Sequence, residues 1–90
     1  MDREQAQNEV YHGVTAAKDM LLSEECVGAT IDSAYWAFTA AADYGPNSPE
    51  VESVAEYTND SVADACPRAA IPEALDLVEG AHEQGLGFFN

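Results

Sequence analysis

Basic residues are the scarcest chemical class in this sequence. The sequence has three Lys and Arg residues and seventeen Asp and Glu residues. The 49 positions between Lys18 and Arg68 contain no Lys or Arg. A protein that binds nucleic acid or an anionic membrane directly needs a patch of positive charge. The sequence therefore argues against both as direct binding partners.

Long apolar runs and sorting signals are also missing. No hydrophobic stretch approaches the roughly 20 residues of a membrane-spanning helix, because Asp32 and Asp43 interrupt even the most apolar segment. The N-terminal segment MDREQAQNEVYHG is polar and acidic, whereas a secretory signal begins with basic residues and continues with an apolar core. We therefore expect a cytoplasmic protein.

Catalytic motifs are absent as well. The sequence has no Gly-rich phosphate loop, and no Ser-His-Asp or Cys-His arrangement has supporting local sequence. Two Glu-x-x-His pairs, beginning at Glu9 and Glu79, have the spacing found in di-iron helical bundles. Helical geometry turns His12 away from the predicted core, so we interpret both pairs as chance and His82 as a half-buried core histidine. We expect no enzyme activity, no cofactor and no metal.

The residues that are present predict one folded domain over 1–90. Ninety residues support a single modest core, and a hydrophobic content of 47% is sufficient to build it. The formal net charge of −14 exceeds the magnitude of about 2 to 8 that suits a small soluble domain. Self-repulsion of this size opposes the compact state, so either the medium screens it or a partner uses it.

The most helix-like segment is 24–44, which we predict to be the central helix. Its apolar residues recur at three- and four-residue spacing, the period of a helix with a buried stripe. These residues are Val27, Ile31, Ala34, Tyr35, Phe38, Ala41 and Ala42. Trp36 lies away from this stripe. It is interpreted either as a side chain in a second helix–helix contact, which we favour, or as an exposed anchor for a partner.

Three further helices are predicted around the central one. The first runs from about Asp2 to Leu22, and the third begins at Ser48-Pro49 and ends near Ala65. The fourth covers 73–84 and is closed by Gly85. We interpret 68–72 as a loop, with a short helical turn as the alternative.

The pattern as a whole predicts an all-α fold, a small antiparallel bundle of four helices. Three helices plus a folded-back C-terminal tail is the alternative. In either case we expect the tail to cover the end of the core through three apolar side chains: Leu86, Phe88 and Phe89.

Cys26 and Cys66 are the only cysteines. In an antiparallel hairpin turning at 45–48, two positions whose numbers sum to 92 lie at about the same height, so the two sulfurs could be neighbours. A disulfide there would contribute about 3 to 4 kcal/mol. Because cytosolic thiols are normally kept reduced, we expect two small buried hydrophobic side chains and keep the disulfide as the alternative.

Acidic residues form one row on each of the last two predicted helices. The row on the third helix is Glu52, Glu56, Asp60 and Asp64, and the row on the fourth is Glu73, Asp76, Glu79 and Glu83. Like charges four residues apart destabilise a helix, and an ordinary surface would intersperse Lys. These eight residues, with Trp36, are the predicted partner-binding residues.

Two functional hypotheses follow from the acidic rows. The first is a non-enzymatic protein that presents carboxylates in place of phosphates and blocks a basic nucleic-acid-binding protein or complex. The second is an acidic helical scaffold or adaptor of the halophilic type, without inhibitory activity. In size, acidity and lack of a catalytic motif the chain resembles the small anti-restriction and anti-CRISPR proteins of phages, a resemblance of class that transfers no residue role.

Overall fold

The computed structural model describes residues 2–89 and consists of helices joined by short connections. The α-helices are α1 (Arg3–Ala16), α2 (Lys18–Leu21), α3 (Glu24–Tyr44), α4 (Pro49–Ala65) and α5 (Ile71–Leu86), and 3-10 turns cover Arg68–Ala70 and Gly87–Phe89. Four of the helices are long and α2 is a single turn. The predicted all-α class and four-helix bundle are confirmed. None of the helices in the described range is both long and apolar enough to cross a membrane.

Side-chain caps fix where three of the helices begin. The Asp2 carboxylate accepts a hydrogen bond from the Gln5 amide at 2.8 Å. The Ser23 hydroxyl accepts from the Cys26 amide at 3.1 Å, and the Ser48 hydroxyl accepts from the Val51 amide at 3.2 Å. Each cap satisfies a backbone donor that has no partner within the first turn. The predicted bounds of α3 and α4 are confirmed because these signals are local.

The first predicted helix is interrupted, which the sequence pattern did not indicate. At Ala17 the amide donates to the Val14 carbonyl at 3.1 Å, a tighter turn than the α-helix, and the residue after α2, Leu22, has the left-handed conformation, with φ 71°. The change of direction places Leu21 in the core, with no exposed surface. Burial of this side chain offsets the roughly 1 to 2 kcal/mol that a left-handed non-glycine residue costs.

Both ends of the last predicted helix are also corrected. The residues after Pro67 form a 3-10 turn and then enter α5 at Ile71, so the loop prediction was wrong and the helical-turn alternative is closer. Ala70 is fully buried there, and Pro72 is tolerated because the first turn needs no amide donor. Gly85 is not the end of the helix, because α5 continues to Leu86.

The long helices alternate in direction around α3. An ion pair between Arg3 and Asp43, at 2.7 Å, joins the start of α1 to the end of α3. The end of α5 lies against the end of α3 at Gly85, so these two helices run in the same direction. They also form the most extensive helix contact, with α1 and α4 on either side. α3 and α5 lie at opposite corners of the bundle, and their direct contact flattens it, which fits its extents of 35 × 26 × 14 Å.

Small residues allow the close approach of α3 and α5. A Cβ atom built on Gly85 would lie 2.9 Å from the Ala41 Cβ and would also collide with the Phe38 carbonyl oxygen. Phe38 itself is fully buried. Its ring also contacts the ring of Phe88 edge-on, with centroids 5.6 Å apart, so the predicted return of the tail to the core is confirmed at that residue. The predicted contribution of the Phe89 side chain lies outside the described residues.

A disulfide bond joins Cys26 to Cys66, contrary to our expectation of reduced thiols. The antiparallel α3–α4 hairpin brings the two Cα atoms to 4.4 Å, as the matching heights of these positions indicated. Both residues are buried. Disulfides are typical of oxidising compartments, so this bond weighs against the cytoplasmic prediction.

Replacing Gly85 with alanine is expected to lower the free energy of unfolding by about 1 to 3 kcal/mol, because α5 must move away from α3. Gly80 on the same helix is the matched control, since a Cβ there meets no atom of the described residues within 4 Å. Gly80→Ala should raise the free energy of unfolding by about 0.5 to 1 kcal/mol, because alanine is the better helix former. Urea unfolding followed by circular dichroism measures both variants. Equal effects of the two substitutions would show that the close contact is not energetically important.

The double substitution Cys26→Ala and Cys66→Ala removes the disulfide, which closes a loop with a sequence separation of 40. It is expected to lower the free energy of unfolding by about 4 kcal/mol in the chain-entropy model.

Alkylation followed by intact-mass measurement tests the disulfide directly. The unfolded but unreduced chain should take up no alkylating agent, and the reduced chain should take up two. Uptake without reductant would contradict the disulfide.

Candidate partner-binding surface

The acidic row on α4 is exposed along its whole length. Glu52, Glu56, Asp60 and Asp64 all lie in the solvent-facing part of the helix, away from the buried residues Val51, Thr58 and Val62. A step of four residues exceeds one helical turn by about 40°. The row therefore winds around α4 and does not follow a straight line: Glu52 lies beside α5, and Asp64 is displaced from it by about 120° around the axis.

The row on α5 covers the width of its outer surface. Asp76, Glu79 and Glu83 are exposed and Glu73 is half-buried, on the side opposite the buried Ala74, Val78 and Ala81. Asp76 lies at the edge next to α1, where it shares a shallow depression with Val10 and Val14. Glu79 lies at the other edge, next to α4. Of the eight acidic residues, the structure brings Glu52 and Glu79 to one shared site.

That site is a groove between α4 and α5, with α3 as its floor, and its volume is about 410 Å³. It exists because α4 and α5 each pack mainly against α3 and make little contact with each other. The floor residues are alanines, which are too small to fill the space between the two helices. The lining residues are Ala37, Ala40, Val51, Glu52, Val54, Ala55, Thr58, Asn59, Leu75, Val78, Glu79 and His82.

The groove is apolar at its base and polar at its margin. Thr58 is internally satisfied, because its hydroxyl donates to the Ala55 carbonyl at 3.1 Å. His82 is half-buried, as predicted, and its Nε2 atom is buried without a hydrogen-bond partner among the described residues. A buried polar atom without a partner costs about 1 to 3 kcal/mol. His82 therefore retains hydrogen-bonding capacity that the described residues do not use.

The two Glu-x-x-His pairs do not form a common centre. His12 is exposed on α1, where its ring packs edge-on against the neighbouring Tyr11, whereas His82 lies in the groove. The described residues contain no group of three or more His, Cys, Asp or Glu side chains that could hold a metal ion.

Trp36 lies on a different surface from the groove. Its side chain is 57% exposed, so the favoured interpretation of a buried helix–helix contact was wrong. Ala37, the next residue, is part of the groove floor, and one residue turns the helix by about 100°. Trp36 thus faces solvent on the side of α3 that α5 does not cover, and it does not form one continuous surface with the acidic row of α5.

Charge on the α4–α5 side of the molecule is unbalanced. Nine of the seventeen acidic residues lie between Pro49 and Leu86, where Arg68 is the only basic residue. Within residues 2–89 the one ion pair joins Arg3 to Asp43, neither of which belongs to α4 or α5. The eight predicted acidic residues therefore make no ion pair within the described part of the chain.

The groove was not predicted from the sequence, although part of its signal was there. The alanines at 37 and 40 are small residues, which permit close approach of neighbouring helices. Whether such residues make a tight contact or leave a space depends on how far α4 and α5 separate, which no local pattern specifies. Comparisons with protein-family models, curated proteins and solved structures find no match to this chain, so the surface is interpreted from its own geometry.

Replacing Trp36 with alanine is expected to change the free energy of unfolding by no more than about 0.5 kcal/mol, because the side chain is mostly exposed. Phe38→Ala, two residues further on, should cost about 3 to 5 kcal/mol. The protein has a single Trp, so its fluorescence reports this site alone. Emission should be that of a hydrated indole and should be quenched readily by acrylamide. Protected, blue-shifted emission would contradict the exposure.

Proposed function

We propose that this chain is a non-enzymatic acidic interaction protein. It mimics the phosphate backbone of a nucleic acid and blocks a basic nucleic-acid-binding protein or complex, in the manner of anti-restriction and anti-CRISPR proteins. The observation that carries the proposal is the exposed acidity of α4 and α5, since neither helix contains a basic residue. A partner with clustered Lys and Arg is the chemistry that such a surface selects.

The spacing of the carboxylates is compatible with this function. Four residues along a helix correspond to a rise of about 6 Å, so the carboxylates of the α4 row form a regular series of negative charges, as phosphates do along a nucleic-acid strand. A groove separates α4 from α5, so of the two grooves of DNA, about 6 and 12 Å wide, the wider one is the better comparison for the two rows. Because the α4 row winds, mimicry would use short arcs of carboxylates on α4 and α5.

We place this function in the cytoplasm, where nucleic-acid-binding complexes are present. The disulfide requires an explanation there, since cytosolic disulfides are rare. Cys26 and Cys66 are both buried, which slows attack by a reducing thiol because exchange depends on access. The alkylation assay, applied to protein isolated from its own cells, decides which redox state operates.

A second function is favoured by the distribution of the remaining acidic residues. Asp2, Glu4, Glu9, Asp19, Glu24, Glu25, Asp32, Asp43 and Glu50 are also exposed, so acidity is not confined to one surface. That distribution is typical of a protein solvated in concentrated salt, and it supports the halophilic scaffold. Helix content by circular dichroism separates the two: an inhibitor folds cooperatively at moderate salt, whereas a halophilic domain folds only in molar salt.

Reversing Glu56, Asp60, Glu79 and Glu83 to Lys is expected to abolish partner binding while leaving the fold intact or more stable, because repulsion between neighbouring carboxylates is relieved. The matched control reverses Glu4, Glu9, Asp19 and Asp32, which changes the net charge equally on α1–α3. Pull-downs from host lysate compare the two variants with the wild type over a range of salt concentrations.

Wild-type binding should weaken steeply with added salt, as expected for exposed charges, and the control variant should still capture a basic nucleic-acid-binding protein. Capture that survives the four reversals would move the interface to Trp36 and the Phe88 tail. Equal loss in both variants would show that net charge alone determines binding.

A further inference from the structure

We propose that the groove between α4 and α5 is the anchoring site for the basic partner, and that it receives an apolar side chain from a cationic amphipathic helix. Lys or Arg residues beside that side chain pair with Glu52 and Glu79. This inference rests on the proposed function, because it assumes a basic protein partner. It adds a specific contact that a carboxylate surface alone does not provide.

The groove offers an apolar volume large enough for a side chain of a partner. At about 410 Å³, the groove falls in the range of about 300 to 1,000 Å³ typical of binding pockets. Val54 and Leu75 on its two walls are only half-buried, and Ala55 is exposed. An apolar side chain placed there would remove these surfaces from water, which is the way amphipathic helices bind in grooves.

The margin of the groove carries negative charge on both walls. Glu52 is carried by α4 and Glu79 by α5, and both line the groove. A carboxylate on each wall repels an anionic ligand and attracts a cationic one. A neutral apolar molecule would fill the base and leave both carboxylates unused, so the charge favours an occupant that is apolar at one point and basic around it.

The walls of the groove also carry polar side chains. His82 and Asn59 both line the groove, and His82 Nε2 is buried without a hydrogen-bond partner among residues 2–89. Asn59 is exposed on the α4 wall, so its side-chain amide is a polar group that an occupant of the groove contacts directly. Hydrogen bonds of this kind give orientation to a contact that is otherwise set by shape and charge.

Two synthetic peptides of equal positive charge test the inference: an amphipathic helix of Leu and Lys, and an oligolysine. Binding is measured by calorimetry with the full, disulfide-bonded chain. We expect the Leu/Lys peptide to bind about tenfold more tightly than oligolysine. Ala55→Leu, which fills the groove from an exposed position, should abolish that preference. Ala63→Leu, an exposed substitution on the same helix outside the groove, should retain it.

Amide chemical-shift mapping locates the contact independently of any variant. The Leu/Lys peptide should shift Ala37, Ala40 and His82, whereas oligolysine should shift residues of the acidic rows without those three. The combined Glu52→Gln and Glu79→Gln variant should weaken the Leu/Lys peptide more than oligolysine. Equal binding of the two peptides, or a preference unchanged by Ala55→Leu, would overturn the groove assignment.

The failure of this inference is distinguishable from failure of the proposed function. If the four charge reversals weaken oligolysine and Ala55→Leu affects neither peptide, the acidic surface binds cations and the groove assignment alone is wrong. If neither the four charge reversals nor Ala55→Leu affects either peptide, both the groove assignment and the proposed function are wrong. If 1-octanol occupies the groove and the two Gln substitutions leave Leu/Lys peptide binding unchanged, the groove is a small-molecule site and the proposal is overturned.

Discussion

The contact between α3 and α5 at Gly85 is the constraint on which the rest of the structure depends. With no Cβ at Gly85, α5 lies directly on the backbone of α3 near Phe38 and Ala41. This approach makes the diagonal of the bundle short and displaces α1 and α4 to the two sides. Because α4 is held at the side of α3 and away from α5, the groove opens between them.

The features that the sequence predicted are those determined by a few neighbouring residues. Ser23 and Ser48 cap α3 and α4 through bonds to amides three positions away, so the local sequence is sufficient to place both starts. The exposure of Asp60 and Glu83 followed from helical periodicity in the same way. A charged side chain opposite an apolar stripe has no lower-energy position than the solvent.

The features that the sequence did not predict depend on partners distant in the chain. The interruption at Ala17 and the early start of α5 are resolved by burying Leu21 and Ala70, a benefit that exists only once α3 is in place. Gly85 was interpreted as a helix terminator because its local signal is the same as that of a close-contact residue. The exposure of Trp36 follows from which side of α3 is left uncovered, which depends on the placement of α5.

The disulfide has a mechanical consequence for the groove. It closes a covalent ring from Cys26 to Cys66 that contains α3 and α4 and leaves α5 outside. The floor of the groove and one of its walls are therefore tethered at both ends, whereas the second wall is held by side-chain packing and by its single connection to Cys66. Widening of the groove therefore requires α5 to move outward, and the close packing of Gly85 against α3 resists this movement.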